Sequence, residues 1–305
     1  MYFPTYGRTR HFQIGSVPVS LTTEVRGLLE EYSALYGDFR IRTPPENTVQ
    51  VGVHVRRPAS WHRRRFHVTV NGRLQFSPAR TESLIPYVEW AVNWGMARLL
   101  PQYLQLHAAS LEVDGAGVVL AGASGSGKST LAAGLVARGW RYLCDEFALI
   151  HVGTRALHPY PRAICVKKPS FALVRSLGFQ LRAKRRCVKG AKGPVGFLNP
   201  LGMRSDALGR ACPVRYVIFP SYVRGARPSL IEMSRAEAGF ALHQVCFNVL
   251  DCEAVATDVL AAVVRRAWCY RLIAGELART CDLLQRLIAG KACATGRTAV
   301  RGRLP

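Results

Sequence analysis

The spacing of apolar positions divides the chain into two regimes that meet near residue 103. Upstream, the pattern predicts a small α+β unit over residues 1–85, with a helix over 22–36, a strand over 48–55 and a hairpin. In the hairpin, two alternating runs, 66–70 and 73–76, flank Asn71-Gly72, the dipeptide that most readily supplies the two positive φ angles of a type I′ turn. A helix over 82–100 follows, apolar along one face. Its Trp90 and Trp94, four residues apart, are expected to pack in the core.

Downstream, short apolar, β-branched runs alternate with helical periods. Strands are predicted at 103–111, 117–121, 141–144, 147–151, 163–167 and 214–219, and helices at 129–138, 170–177, 234–247, 251–267 and 276–289. This is the pattern of an α/β core with a helical C-terminal part, spanning residues 86–290. The final segment, 291–305, has Gly, Arg and Pro without an apolar period and is expected to be mobile.

One junction between strand and helix carries chemistry. Gly122-Ala123-Ser124-Gly125-Ser126-Gly127-Lys128-Ser129 matches the G-x-x-x-x-G-K-[ST] phosphate-binding loop, between the run 117–121 and the helix opening near Thr130. Its glycines let backbone N–H groups turn inward around a phosphate at the positive end of the helix. Lys128 would reach the β- and γ-phosphates, and the Ser129 hydroxyl would ligate Mg²⁺. The expected ligands are therefore ATP and Mg²⁺, with Gly122 to Thr130 as the nucleotide contact.

A second junction stands 17 residues beyond Lys128. There a short strand ends in Asp145-Glu146, close to the crevice where open α/β sheets hold ligands. A carboxylate there can bind Mg²⁺ or take the proton of an attacking hydroxyl. The short spacing, and the lack of a Leu-Ser-Gly-Gly-Gln segment, favour a phosphotransferase over a transport or motor ATPase. His107 lies in an apolar strand expected to run beside the loop strand. By itself it reads as a satisfied core residue.

Composition changes the picture only modestly. The net charge of +23 invites a nucleic-acid reading, but only 7 of the 42 basic residues are Lys, an Arg bias often seen in proteins from GC-rich genomes. Basic clusters at Arg63-Arg64-Arg65 and at Arg182, Lys184, Arg185, Arg186, Lys189 and Lys192 read first as solvated loops. A contact for an acidic protein or phosphorylated ligand ranks second, and nucleic acid last. Nine scattered cysteines without a C-x-x-C pair suit a reducing, cytoplasmic setting. No apolar run approaches 18 residues, so no membrane span is expected.

Leu106-His107-Ala-Ala, the loop at 122–129 and Arg138-Gly139-Trp140-Arg-Tyr-Leu-Cys-Asp145-Glu146 together resemble the core of the HPr kinase/phosphorylase family. The closer resemblance is to HPr-kinase-related proteins of the HprK-related kinase A type, through Glu89-Trp90, Asn93-Trp94, the segment 157–162 and Cys246-Phe-Asn248. The resemblance implies a P-loop kinase core of the HPr-kinase-like type and ATP-dependent phosphorylation of a serine hydroxyl. It implies Asp145 as the base, His107 as its assistant, Lys128 in its loop role, and Ser129, Asp145 and Glu146 around the metal. It does not extend to a third metal carboxylate, since residues 158–164 contain none. The positive charge expected beside the transferring phosphate is left open among Lys189, Lys192 and Arg162. The partner would be a protein or peptide with an acceptor serine, and a homo-oligomer is compatible with the reading. A small-molecule kinase and a non-catalytic ATP-binding module remain as alternatives.

Overall fold

The computed structural model describes residues 6–56, 65–181, 187–189, 193–249 and 253–301. Outside these lie Arg63 and Arg64, Arg182, Lys184, Arg185, Arg186 and Lys192 of the basic clusters, and the last residues of the chain, 302–305. The protein is mixed α/β, with three sheets.

The first sheet has the order β3-β1-β2-β4-β5-β6, with β1 Arg8–Ile14, β2 Val17–Thr23, β3 Arg40–Ile41, β4 Val49–Arg56, β5 Arg65–Val70 and β6 Arg73–Phe76. Asn71 (φ 48°) and Gly72 (φ 76°) make the turn read from the sequence. The β1–β2 hairpin is absent from that reading. It also displaces the first helix, α1, which spans Leu28–Tyr36 rather than starting at 22, because Thr22 and Thr23 pair with Thr9 and Arg8 in the hairpin.

Helix α2 (Leu84–Leu99) lies across this sheet and buries Val88, Ala91, Val92 and Met96. That stripe leaves the two tryptophans in different settings. Trp90 packs against Phe76 and Tyr87, whereas Trp94 is 47% exposed with the Arg98 guanidinium over its ring, so the expected core role fails for Trp94. The close approach of α2 to the sheet depends on Gly95. A Cβ there would collide with Val49 and come within 3.2 Å of Val70 Cγ1. Both neighbours are stiff at χ1. Gly95→Val is therefore expected to lower stability by about 1–3 kcal/mol, read as a shifted midpoint in urea.

The central sheet runs β10-β8-β9-β16-β12-β11-β7, with β18 on β16 and β17 on β18. Its strands are β7 Tyr103–Leu106, β8 Ala108–Val113, β9 Ala116–Ala121, β10 Arg141–Cys144, β11 Ala148–His151, β12 Ala156–His158, β16 Cys212–Tyr222, β17 Ser229–Glu232 and β18 Trp268–Ala274. A third sheet, β13-β15-β14, is made of Ile164–Lys167, Pro194–Leu198 and Cys187–Val188. The predicted strand 103–111 is broken at His107. Its first part pairs with β11 and its second with β9 and β10, while the His107 N–H donates to Val245 O at 2.7 Å.

The helices of this part are α3 Lys128–Ala137, α4 Phe171–Ser176, α5 Arg235–Gln244, α6 Glu253–Arg266 and α7 Leu277–Arg301. Helix α7 does not stop at 289 as expected. It continues into the segment expected to be mobile, which is rich in the helix formers Ala, Arg and Lys and has no proline before 305. Strands β12, β14, β15, β17 and β18 were not legible in the sequence. They are short, and several have mixed burial, so neither period dominates.

Strand direction gathers the site. Strand β9 is parallel to β16, and β16 to β18; β8 runs antiparallel between β9 and β10, so β10 is parallel to β9 as well. One edge of the sheet thus receives the ends of β9, β10, β16 and β18 and the beginning of β8. His107, the loop after Ala121, Asp145, Tyr222 and Gly275 all stand on that edge and line one cavity of about 530 Å³.

Candidate active site

The loop between β9 and α3 has the backbone its glycines allow. Gly122, Gly125 and Gly127 have φ angles of 145°, 96° and 96°, a region that L side chains rarely adopt, and Gly127 caps α3. The Lys128 ammonium folds back on the loop and donates to Gly122 O (2.6 Å) and Ala123 O (2.9 Å). The Ser126 hydroxyl is buried with no hydrogen-bond partner among the described residues. An orphaned buried hydroxyl inside a glycine-shaped loop at a helix N-terminus fits a phosphate, which would give that oxygen a partner.

Asp145 follows β10 and meets the loop from across β8. Its Oδ1 accepts a hydrogen bond from Ser129 Oγ (3.1 Å), and its Oδ2 accepts from the Cys165 N–H (3.2 Å). Only 2% of the residue is exposed. Burial, reinforced by the Glu146 carboxylate, pushes the Asp145 carboxyl up to about 6, against the opposing pull of its two hydrogen bonds and of Lys128. A carboxylate with a pKa nearer neutrality is a better proton acceptor than an ordinary one.

Glu146, the third expected metal ligand, is paired with a lysine. It adopts the left-handed conformation (φ 81°), and its Oε1 accepts from Lys189 Nζ at 2.6 Å. Burial, the largest single influence, works to lower the Lys189 pKa, but Glu146 together with Cys165 and Glu89 outweighs it and the pKa is raised. Lys189 also lies over the Trp90 ring, 5.4 Å from its centroid. Glu146 therefore lines the cavity as half of an ion pair, while Ser129 and Asp145 are the expected metal ligands brought into direct contact. No cluster of three or more His, Cys, Asp or Glu suited to a metal occurs among the described residues. Mg²⁺, which commonly binds through one or two carboxylates, phosphate oxygens and waters, needs no such cluster. Ser129 and Asp145 fit it.

His107 lines the same cavity, at the break between β7 and β8. The Phe247 ring stands edge-on to it at 5.4 Å and stacks on Phe147 at 4.7 Å. Phe247 is 55% exposed. Its loop is docked on the edge of β7 by Asn248, which accepts from Gln105 N–H and donates to Tyr103 O.

Of the three candidates for the positive charge, Arg162 is excluded by its position. It is buried in an ion pair with Glu89 and hydrogen-bonds to Asn93, Tyr160 and Tyr36. Lys192 lies outside the described residues, and Lys189 is engaged by Glu146. The reading missed Lys167, which lines the cavity beside Gly125 of the loop. A signal existed in the composition: lysine is scarce in this chain, yet Lys128, Lys167 and Lys189 converge on one cavity.

A glycine-shaped loop of the G-x-x-x-x-G-K-[ST] pattern, whose serine is hydrogen-bonded to a strand-end aspartate on a mixed α/β fold, makes a site suited to phosphate. The comparisons with known proteins narrow it. The family model of SynChlorMet cassette protein ScmC matches residues 93–170, the stretch that contains His107, the loop, Asp145 and Lys167. Over 76 residues the chain is 36% identical to the HPr kinase/phosphorylases of Xanthomonas campestris pv. campestris (strain B100) and Xanthomonas oryzae pv. oryzae (strain PXO99A). That match covers 25% of this chain and 23% of each relative, so it spans under a quarter of their length. The Hpr(Ser) kinase/phosphatase from Coxiella burnetii aligns with 64% of this chain and 97% of its own, at a TM-score of 0.31 and 15% identity. The chain thus has a distant, partial sequence similarity to HPr kinase/phosphorylase.

Proposed function

We propose that this protein is an ATP-dependent phosphotransferase that phosphorylates a Ser or Thr hydroxyl on a small protein or peptide. The observation that carries the reading is the joining of Ser129 to Asp145. It sets a buried carboxylate, with its pKa raised, beside the loop that would hold the triphosphate. The loop amides and Lys128 would hold the β- and γ-phosphates, and Ser129 and Asp145 would hold Mg²⁺, whose charge would stabilise the phosphate oxygens. Asp145 would take the proton of the acceptor hydroxyl as its oxygen bonds to the γ-phosphorus. The bond from that phosphorus to the β,γ-bridging oxygen breaks, and ADP leaves with the electron pair. His107 would stand on the acceptor side, with Phe147 and Phe247 next to it.

Such a site works by positioning and charge, so a polypeptide acceptor needs only to present its hydroxyl at the open side of the cavity. Seven cysteines, Cys144, Cys165, Cys187, Cys212, Cys246, Cys269 and Cys281, carry free thiols, and no helix among the described residues is long and apolar enough to cross a membrane. A cytoplasmic kinase is consistent with both. The test is transfer of label from γ-labelled ATP, with Mg²⁺, into the protein, peptide and small-molecule fractions of a host extract. Label in a serine- or threonine-containing polypeptide is the expected result. Label in free carbohydrate would move the acceptor to the small-molecule class, and bound ATP without transfer would overturn the kinase reading.

A further inference from the structure

We infer that Lys167 forms a second cationic contact for the terminal phosphate of the nucleotide, at the mouth of the phosphate-binding loop. This rests on the nucleotide reading above and adds to it a residue that the loop motif does not contain.

Three observations carry it. First, position: Lys167 ends β13, and its Nζ lies 3.5 Å from where a Cβ on Gly125 would be. Gly125 is the middle glycine of the loop, and its left-handed backbone leaves that space open. The ammonium thus stands at the mouth of the loop, although it comes from a different sheet. Second, charge: Lys128 is turned onto loop carbonyls and Lys189 onto Glu146, whereas Lys167 has no hydrogen-bond or ion-pair partner among the described residues. An ammonium lining a cavity beside an anion-binding loop, with no counter-charge among the described residues, leaves that role to a ligand.

Third, the wall that carries it is built into the catalytic arrangement. Cys165, two residues earlier on β13, donates its N–H to Asp145 Oδ2 and lines the same cavity as Lys167. At the end of the same wall, Ser170 Oγ lies 2.9 Å from Thr130 Oγ on α3, fixing the segment after β13 to the first turn of the loop helix. Lys167 is therefore held beside the loop, on the strand whose Cys165 N–H contacts Asp145. A phosphoryl group passing from the loop toward that carboxylate would stay within reach of it. Lys168 is exposed and does not line the cavity, which makes it the natural control.

The test is equilibrium binding of ATPγS and of ADP, each with Mg²⁺, to the full chain and to K167M, K167R and K168M. For K167M the affinity for ATPγS is expected to fall about 10- to 100-fold, the range for loss of a charge-assisted hydrogen bond, while that for ADP stays within about twofold. K167R should recover most of the loss, and K168M should match the wild type. Equal weakening of both nucleotides in K167M, or no change in either, overturns the assignment. If the wild type separates ATPγS from ADP through Lys167 yet transfers no label, the kinase reading fails and this assignment stands. If the wild type binds neither nucleotide, both fall.

Discussion

Replacing Asp145 by asparagine will reduce phosphoryl transfer by about 10²- to 10⁴-fold while leaving nucleotide binding measurable. The asparagine keeps the size of the side chain and can still accept one hydrogen bond, from Ser129 or from the Cys165 N–H, but it cannot take the acceptor proton. The loss should fall on kcat, since the loop and Lys128 are untouched. The raised pKa sets the pH dependence. In the metal-free protein the carboxyl ionises around pH 6, so binding of Mg²⁺, which needs the ionised form, should rise with pH through about 6 and level off above it.

The same shift has a consequence for stability, with the opposite trend. Because the folded pKa lies above the ordinary value of 3.8, the native state holds a proton that the unfolded chain has released at intermediate pH. The resulting stabilisation is complete below the ordinary value and is lost as pH rises through about 6. A shift from 3.8 to about 6 corresponds to about 3 kcal/mol. In magnesium-free buffer, the stability of D145N relative to the wild type should therefore increase between pH 4 and pH 7. A difference independent of pH would show that Asp145 titrates as an ordinary carboxylate, and unchanged transfer by D145N would remove it as the base.

The second large effect lies behind the site. Glu89 of α2 and Arg162 form a fully buried ion pair, and around it the Tyr36 hydroxyl donates to Glu89 Oε2 (2.8 Å) while accepting from Arg162 Nε and the Ala163 N–H. Tyr142 donates to Arg162 O at 2.6 Å, and Arg162 also reaches Tyr160 and Asn93. The network draws on α1, α2, β10 and the segment leading into β13, so it joins the first sheet to the strand that carries Cys165 and Lys167. Breaking a buried pair from one side leaves an uncompensated charge. E89Q and R162M are each expected to cost about 3–5 kcal/mol, measured by urea unfolding. The double variant should cost less than the sum, because neither charge is then left alone. Additive losses would mean that the two residues do not act as a pair.

This network also explains a feature visible in the sequence but not interpretable from it. Glu89 and Asn93, one helical turn apart, fall on the same face of α2 because both reach Arg162, 69 to 73 residues away. The adjacent tryptophans, which drew the attention of a pattern reading, divide instead between a half-buried aromatic cluster and the surface.

The sequence by itself determined what is local: the phosphate-binding loop, whose glycines encode their own backbone angles, the Asn71-Gly72 turn, and the strand that delivers Asp145 one helix later. Each depends on residues within a few positions, or on a helix and strand of fixed rise. The tertiary structure alone decided which distant side chains share the cavity. It paired Glu146 with Lys189, withdrew Arg162 into a buried network, and carried Lys167 on a separate sheet to the mouth of the loop. Those choices turn on strand order and direction, which set neighbours across 40 residues or more, and no local period in the chain records them.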